Sequence, residues 1–319
     1  MSAEFSDAII TVLRCPKCMS NLNRDSDFLI CSNNNCSLQY PIIDNIPVLI
    51  NEENSVFSTG DYMQRRDTTI NTKRSRARNI AASLIPAISM NIKAKENYKN
   101  FVERLLTSAK NPKVLIVGSG IAGEGMKVII DHPSIELYES DVAFGPRTRF
   151  ILDSHNIPFK DEYFDGVIIQ AVLEHVVDPF MCVKEIHRAL KPQGFVYAET
   201  PFMQQVHEGK YDFHRFTHLG HRRLFRHFSE IESGPICGPG MALAWAYSYF
   251  LYSFTGSRKI RKMLLPISHF SSFFLKYFDH YLIKKPGAYD AASAYYFWGQ
   301  KSEVTLDDKE LLKLYKGLL

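Results

Sequence analysis

Residues 114–125 read Val-Leu-Ile-Val-Gly-Ser-Gly-Ile-Ala-Gly-Glu-Gly, a short apolar run followed directly by closely spaced glycines. The apolar run over 114–117 predicts a buried parallel strand. Gly118 and Gly120 then allow a tight turn and let a ligand approach the backbone without a Cβ in the way. We expect a helix over 123–130, whose free N–H groups can bind a polar ligand. This is the pattern of the first strand–helix turn of a doubly wound α/β fold.

The glycine pattern by itself does not select one cofactor. The G-x-G-x-x-G of residues 118–123 fits sites for NAD, FAD or S-adenosylmethionine, and also a simple tight turn. A carboxylate at the end of the next strand is more informative, because it can accept hydrogen bonds from both ribose hydroxyls. The strand predicted over 135–141 offers Glu139 and Asp141, of which we prefer Asp141; the alternative is a surface acid at a strand end.

The bulk composition is that of a globular protein. The chain has 319 residues, of which 45% are hydrophobic and 23% charged, enough for one large domain and a small one. The formal net charge of +4 is too small to argue for nucleic-acid binding by itself. The first ten residues contain acids and no basic segment, so we expect no secretory signal and a cytoplasmic protein.

Four of the six cysteines are clustered near the start of the chain. Cys15 and Cys18 form a C-x-x-C pair, and Cys31 and Cys36 form a second, wider pair after a short polar turn and an apolar strand. This spacing predicts a closed tetrahedral zinc site of the ribbon type, with free thiols or disulfides as the alternative. Because such a site has no open position for water, we expect a structural zinc that supplies folding energy.

The first fifty residues resemble a small zinc-ribbon family that includes an activator subunit of tRNA and protein methyltransferases. The resemblance rests on C-P-x-C, C-x4-C and the run Y-P-I-x-D-x-I-P-V-L that begins at Tyr40. It implies a ribbon over 1–52 and a protein partner for it. We expect a linker with helices over 53–112, in which Arg74, Arg76 and Arg78 indicate a solvated helix face or a contact with an anionic ligand such as RNA.

Three further motifs resemble the class I S-adenosylmethionine-dependent methyltransferases of the ubiquinone/menaquinone-biosynthesis type (methyltransferase type 11). They are D-x-x-x-I-P-F-x-D-x-x-F-D from Asp153, L-E-H-V-x-D-P from Leu173 and E-I-x-R-x-L-K-P-x-G from Glu185. The resemblance covers about 113–200. It implies a doubly wound, seven-stranded Rossmann-like α/β sheet with one antiparallel strand over 113–319, and S-adenosylmethionine as the cofactor.

The resemblance also implies roles for individual residues. Gly118 and Gly120 would face the methionine and ribose, and Asp141 or Glu139 would hold the ribose. Asp153 would contact the adenine amine. Gln170 would lie beside the cofactor after the fourth strand of the sheet. Many members have the third glycine earlier, so the role of Gly123 is left open.

Candidate catalytic residues follow the fourth and fifth strands of the predicted sheet. His175 could act as a base toward an acceptor, or it could only fix its loop. The run from Glu199 to Phe225 predicts an acceptor loop, with His207, Asp212 and His214 as candidate bases or acceptor ligands. Its alternatives are a solvated helix start with core aromatics and, least favoured, a second metal site, because no H-E-x-x-H spacing occurs.

An aromatic-rich insertion is predicted over about 238–292, between a sixth strand within 228–238 and a seventh over 294–301. Its uncharged segment at 241–255 is too short to span a membrane. Aromatic residues flanked by the basic run 258–262 could lie on a membrane surface or receive a lipid-linked substrate. A cap over the active site or a dimer interface is the alternative.

Together these patterns predict a methyltransferase that acts on an O or N nucleophile. A small molecule, sugar or lipid-linked glycan is the favoured acceptor. An RNA methyltransferase with a ribbon that binds RNA is the enzymatic alternative, although nucleic acid is less favoured. A non-catalytic module that binds a partner is the alternative from another class, and a nicotinamide oxidoreductase is the least favoured.

Overall fold

A computed structural model of the chain describes residues 5–66, 68 and 84–318. Arg74, Arg76 and Arg78 therefore lie outside the described residues. The described part of the chain forms one mixed sheet of eleven strands with helices on its faces. In chain order the strands are β1 Leu22–Asp25, β2 Phe28–Cys31, β3 Gln39–Ile43, β4 Ile46–Leu49, β5 Lys113–Val117, β6 Glu136–Asp141, β7 Phe150–Leu152, β8 Phe164–Gln170, β9 Leu190–Pro201, β10 Phe228–Cys237 and β11 Ala294–Lys301.

The seven strands β5–β11 form the sheet predicted for the larger unit. Their order is β7-β6-β5-β8-β9-β11-β10. Neighbours from β7 to β9 pair in parallel, whereas β11 runs antiparallel to both β9 and β10. The strands that flank β5 on either side follow it later in the chain, so the order reverses there and opens a crevice at the carboxyl ends of the strands. The predicted doubly wound sheet with one antiparallel strand is confirmed.

The four N-terminal strands extend this sheet rather than forming a separate one. β1 to β4 pair antiparallel in sequence, and β4 pairs in parallel with β7 through Val48 opposite Ile151 and Leu49 opposite Leu152. Leu29 lies in the same buried cluster as Phe159 of the larger unit. The expected ribbon therefore shares its core with the rest of the chain, because so short a segment buries little apolar surface alone.

The helices lie on both faces of the sheet and in one insertion. In chain order they are α1 Asp7–Ile10, α2 Thr59–Met63, α3 Ala94–Ser108, α4 Lys127–Ile130, α5 Pro179–Ala189, α6 His218–Leu224, α7 Pro239–Tyr252, α8 Arg258–Ser272, α9 Asp279–Leu282, α10 Ala288–Ala291 and α11 Asp308–Leu312. α5 begins as predicted, with Asp178 accepting a hydrogen bond from the Met181 N–H and Pro179 in its first turn. None of the described helices is long and apolar enough to cross a membrane.

The helix expected over 123–130 is shorter than predicted. α4 begins only at Lys127, because Gly125 adopts the left-handed conformation with φ +84°. A Cβ at Gly125 would lie 2.8 Å from the backbone carbon of Ala94, so the close packing of α3 also requires a glycine. The glycine turn is thus longer than the sequence pattern indicates, and it forms one wall of the crevice.

Candidate active site

A cavity of about 670 Å³ lies at the carboxyl ends of the parallel strands. This volume is within the range of about 300–1,000 Å³ that is common for small-molecule sites. The predicted residues that line it are Gly118, Gly120, Asp141, Asp153, Gln170, His175 and His207. Those that do not line it are Glu139, Asp212 and His214.

The glycine turn is held against the end of β6. Gly118 has φ +81°, and a Cβ there would overlap a methyl group of Val172. The Gly120 N–H donates to Asp141 Oδ2 at 2.8 Å, and the Ala143 N–H donates to Asp141 Oδ1 at 2.9 Å. Burial raises the pKa of Asp141, although these backbone hydrogen bonds oppose the shift. The turn therefore presents a carboxylate at the cavity wall in a fixed orientation.

Glu139, the other acid considered for the ribose, has different contacts from Asp141. Its side chain is buried and forms an ion pair with Arg147. Side chains two residues apart in a strand lie on the same face, so Glu139 and Asp141 share a face of β6. They differ in their position along the strand. Asp141 lies at the strand end and lines the cavity, whereas Glu139 does not.

Gly123 has a role that the sequence left open. A Cβ at Gly123 would overlap Gln170 Oε1 and lie 2.6 Å from Gln170 Cδ. Gln170 Oε1 accepts a hydrogen bond from the Tyr98 hydroxyl at 3.2 Å, and its Nε2 donates to Glu199 Oε2 at 2.8 Å. The third glycine thus makes room for the Gln170 amide, which is fixed across the end of β8.

Glu199 is a cavity residue that was not assigned a role from the sequence. It is buried at the end of β9, where its carboxyl also accepts hydrogen bonds from the Tyr197 hydroxyl at 2.7 Å and the Asn91 amide at 2.8 Å. Burial raises the pKa of Glu199 to about 7, against the effect of these donors. The available signal was its position, an acid at the carboxyl end of a parallel strand.

Asp153 is part of a buried hydrogen-bonded chain that includes His155, another residue not identified from the sequence. Asp153 Oδ1 lies 2.5 Å from His155 Nδ1, and Asp153 Oδ2 accepts from the Ser55 hydroxyl at 2.5 Å. His155 Nε2 accepts from the Asp178 N–H at 3.0 Å, so the ring proton must be on Nδ1. Burial would raise the pKa of Asp153, but the His155 and Ser55 hydrogen bonds outweigh it and lower the pKa.

At the other end of the cavity, Glu174, His175 and His207 form a cluster. Glu174 is fully buried, and neither of its carboxyl oxygens has a hydrogen-bond partner among the described residues. Glu174 Oε1 lies 3.7 Å from His175 Nε2 and 3.8 Å from His207 Nε2. Burial raises the pKa of Glu174 to about 8 and lowers that of His175 to about 4. Glu174 and His207 are 33 residues apart in the sequence, so no local sequence pattern predicted that they would lie together.

The two histidines of the cluster are held by their Nδ1 atoms. His175 Nδ1 lies 2.9 Å from the Tyr211 carbonyl oxygen, and His207 Nδ1 lies 3.3 Å from the Gln205 carbonyl oxygen. A carbonyl accepts only, so each Nδ1 carries a proton and donates it. Each Nε2 then has a free lone pair in the neutral ring, and it faces Glu174.

Asp212 and His214 lie on the same segment as His207 but do not line this cavity. Asp212 forms an ion pair with both terminal nitrogens of Arg215 and also accepts from the His207 N–H at 2.9 Å. Burial would raise the pKa of Asp212, but the Arg215 hydrogen bonds outweigh it and lower the pKa to about 2. His214 Nε2 lies 3.1 Å from the Val177 carbonyl oxygen. In the structure Asp212 contacts His207 and Arg215, and His214 contacts Val177. Their roles as bases or acceptor ligands stay predictions.

Residues 131–198 match the family described as a methyltransferase domain. The matched stretch runs from just after α4 into β9. A ubiquinone/menaquinone biosynthesis C-methyltransferase from Geotalea daltonii is 26% identical over 117 residues, which is 31% of this chain and 50% of that protein. The chain therefore spans half the length of this curated relative.

Solved structures with similar architecture are distant in sequence. Phosphoethanolamine N-methyltransferase 2 from Haemonchus contortus, in complex with S-adenosylmethionine, has a TM-score of 0.41 and 15% identity, covering 65% of this chain and 53% of that one. A chain from the complex that contains the Haloferax volcanii Trm112 methyltransferase activator has a TM-score of 0.40 and 17% identity. The match covers 66% of this chain and 92% of that one.

The Sγ atoms of the four N-terminal cysteines lie close together. Cys15 Sγ lies 3.8 Å from Cys36 Sγ, and Cys18 Sγ lies 3.4 Å from Cys31 Sγ. All four sulfurs lie within 4.8 Å of one another. Sulfurs bound to one tetrahedral zinc at about 2.3 Å are about 3.8 Å apart, so the arrangement fits this ion. The Tyr40 hydroxyl lies 3.1 Å from Cys15 Sγ, where it could donate to a ligating thiolate.

Proposed function

We propose that the protein transfers the methyl group of S-adenosylmethionine to an O or N nucleophile. One observation carries this proposal: a single cavity joins the glycine turn to the cluster of Glu174, His175 and His207. The first end has the features of a nucleotide-type site, and the second end offers polar groups to a separate molecule. The methyltransferase domain match over residues 131–198 supports the choice of cofactor.

At the cofactor end, this chain offers acceptors where S-adenosylmethionine has donors. Asp141 would accept from the ribose hydroxyls, and Asp153 would accept from the adenine amine. Asp153 is suited to this because its hydrogen bonds keep it ionised. Gly118 and Gly120 line the cavity and would border the methionine part. The space that a side chain would need at either position is taken up by Val172 and Asp141. The cofactor would supply an electrophilic methyl group.

At the acceptor end, the residues present select for a polar molecule. The free lone pairs of His175 and His207 can interact with a hydroxyl or amine, whereas an apolar acceptor would leave buried Glu174 unpaired. A small molecule, sugar or lipid-linked glycan fits this requirement. RNA is the enzymatic alternative, and it would show the steep salt dependence of phosphate contacts.

The four cysteines would hold a structural zinc, with no open coordination position for catalysis. The edge of β4 already pairs with β7 of the same chain. A separate protein partner would therefore have to bind another surface of the ribbon.

Titration with S-adenosylhomocysteine tests the cofactor assignment. We expect Asp141→Asn and Asp153→Ala each to weaken binding about 10- to 100-fold, the effect of losing a hydrogen bond to a charged group. Asp131→Asn, an exposed position outside the cavity, serves as the control. Unchanged affinity in both cavity variants would reject the assignment.

Labelled methyl transfer separates the acceptor classes. The enzyme is incubated with tritiated S-adenosylmethionine and, in parallel, with polar lipid extract, polysaccharide and total RNA. Label in the lipid or polysaccharide fraction would support the proposal. Label only in RNA, falling steeply with salt, would support the alternative.

A further inference from the structure

The cluster of Glu174, His175 and His207 is the most unusual buried feature of the described residues. Glu174 is a buried carboxyl with no hydrogen-bond donor among the described residues, and an unpaired buried polar group of this kind is costly. We infer that these three side chains bind a divalent transition-metal ion that coordinates the acceptor. The role of the ion rests on the proposed function, whereas its binding does not.

The three ligand atoms already have nearly the required separation. Both histidine Nε2 atoms lie within 3.8 Å of Glu174 Oε1, and one ligand atom from each residue lies within 4.8 Å of the other two. Ligands on one ion at about 2.1 Å are about 3.4 Å apart in tetrahedral geometry. The two measured pairs would contract by less than an ångström, and the two histidine nitrogens, which lie within 4.8 Å of each other, by up to about 1.4 Å to reach this separation.

The hydrogen bonds behind the histidines are those that metal sites use. The carbonyl of Tyr211 orients His175, while the carbonyl of Gln205 and the carboxylate of Asp212, 3.5 Å from His207 Nδ1, orient His207. Such partners fix the proton on Nδ1 and leave Nε2 to the metal. Asp212 is in turn held by Arg215. Two histidines and one carboxylate leave open coordination positions toward the cavity, and this donor set suits manganese, iron, cobalt or zinc.

An ion in this place has a defined role in the proposed reaction. An acceptor hydroxyl that coordinates the ion becomes more acidic and loses its proton to water at the mouth of the cavity. A lone pair of its oxygen then forms the bond to the methyl carbon. The carbon–sulfur bond breaks with its electron pair staying on sulfur, which leaves neutral S-adenosylhomocysteine.

Metal titration of the zinc-loaded protein tests the inference directly. Mn²⁺ and Co²⁺ are added separately in the presence of S-adenosylhomocysteine, with binding followed by calorimetry and, for Mn²⁺, by electron paramagnetic resonance. We expect one equivalent to bind, and at least tenfold weaker binding in His207→Ala and Glu174→Gln. His280→Ala, an exposed histidine outside the cavity, should match the wild type.

The outcomes are distinguishable from failure of the proposed function. Binding of neither ion, or equal binding in the wild type and both cluster variants, would overturn the inference. Retained binding of S-adenosylhomocysteine shows that each variant is folded. If the wild type bound the metal but not S-adenosylhomocysteine, the proposed function would fail while the metal site stood.

A second inference rests on the surface of the insertion formed by α7 and α8. The two helices pack antiparallel, with the Tyr252 hydroxyl 3.1 Å from the Ser268 hydroxyl. α7 has no charged residue, and a helix that is apolar all round is normally buried. Here large apolar side chains of both helices, of the turn between them and of the segment that follows are exposed: Leu243, Phe250, Phe254, Ile260, Met263, Ile267, Phe270, Phe274 and Phe278.

We call these nine exposed side chains the insertion face. The charge around the insertion face indicates what binds to it. Arg258, Lys259, Arg261 and Lys262 are exposed at the start of α8, and none forms an ion pair with another described residue. The geometry points to the surface of an anionic phospholipid bilayer, into which the apolar side chains insert while the cations contact lipid phosphates. Phe250 and Phe254 are 61% and 76% exposed. Exposure of such large apolar side chains to water is unfavourable and marks an interaction site.

Vesicle sedimentation tests this assignment. We expect the protein to bind vesicles of phosphatidylcholine with phosphatidylglycerol and to bind pure phosphatidylcholine at least fivefold less. Phe250→Ser combined with Phe254→Ser, and separately Lys259→Gln combined with Lys262→Gln, should each reduce binding at least fivefold. Lys309→Gln combined with Lys313→Gln is the charge-matched control. Absence of binding to anionic vesicles, or a solution dimer that the phenylalanine variant dissociates, would overturn the assignment.

Discussion

At the scale of single residues, the cavity is shaped by what glycine leaves open. Gly123 is the clearest case, because its missing Cβ is the space that the Gln170 amide occupies. We predict that Gly123→Ala displaces Gln170, destabilises the protein by about 1–3 kcal/mol and weakens S-adenosylhomocysteine binding at least tenfold. Thermal unfolding and calorimetric titration measure the two effects. Gly256→Ala is the matched control, since a Cβ there meets nothing within 4 Å. Equal behaviour of the two variants would contradict the account.

Glu199 gives a residue-scale prediction about pH. Its ordinary pKa of 4.5 rises to about 7 in the folded state, chiefly through burial and further through the charge of Glu124. The native state therefore holds one more proton than the unfolded state between these values. The stability contributed by the protonated carboxyl is present below pH 4.5 and is lost as the pH rises through 7.

The slope from this group approaches about 1.4 kcal/mol per pH unit within that window. We predict that Glu199→Gln, which has no titrating group, removes this fall from the stability curve measured by urea unfolding between pH 4.5 and 7. Gln170 and Asn91, which both donate to Glu199 Oε2, are unchanged in the comparison. A wild-type curve parallel to that of the variant would show that Glu199 does not titrate in this way.

At the scale of elements, the segment between β9 and α6 contributes His207 and Tyr211 to the wall of the cavity. It has a single short 3-10 turn and contains the Asp212–Arg215 ion pair, with Arg215 Nε also donating to the Gln204 carbonyl at 2.7 Å. We predict that Arg215→Ala makes chymotrypsin cleavage within 202–216 at least tenfold faster while affinity for S-adenosylhomocysteine changes less than threefold. Arg223→Ala, at an exposed ion pair with Asp308, is the control. Unaltered cleavage would mean that other contacts hold this segment.

The elements differ in how far the sequence could predict them. β11 occurs over Ala294–Lys301 as predicted, and β5 and β8 follow their apolar runs, because burial on both faces leaves a local signal. The helix expected from residue 123 instead begins at Lys127, since the packing of Gly125 against Ala94 is a tertiary contact. The cluster of Glu174 and His207 is likewise invisible in sequence, because the fold alone brings the two together.

At the scale of the whole molecule, the four N-terminal strands and the seven strands β5–β11 form one sheet and share one core. Arg14 N–H donates to the Pro158 carbonyl at 2.9 Å, which adds to the pairing of β4 with β7. The sequence predicted the cysteine ligands but not this union, because strand pairing between distant segments depends on topology. We expect the two parts to unfold together.

Loss of one zinc ligand tests this cooperativity. We predict that Cys18→Ser removes one equivalent of zinc and lowers a single unfolding transition of the entire chain by about 5–10 °C. Cys182→Ser, a buried cysteine outside the cluster, should keep its zinc. Metal analysis and differential scanning calorimetry provide the readouts. A separate low-temperature transition for the ribbon would contradict a shared core.

The measurement that tests the central claim most directly is calorimetric titration of the wild-type protein with S-adenosylmethionine, S-adenosylhomocysteine and NAD. The glycine turn, Asp141 and Asp153 predict binding of the first two in the micromolar range and no binding of NAD. Binding of NAD, or of none of the three, would contradict the assignment of this cavity to methyl transfer.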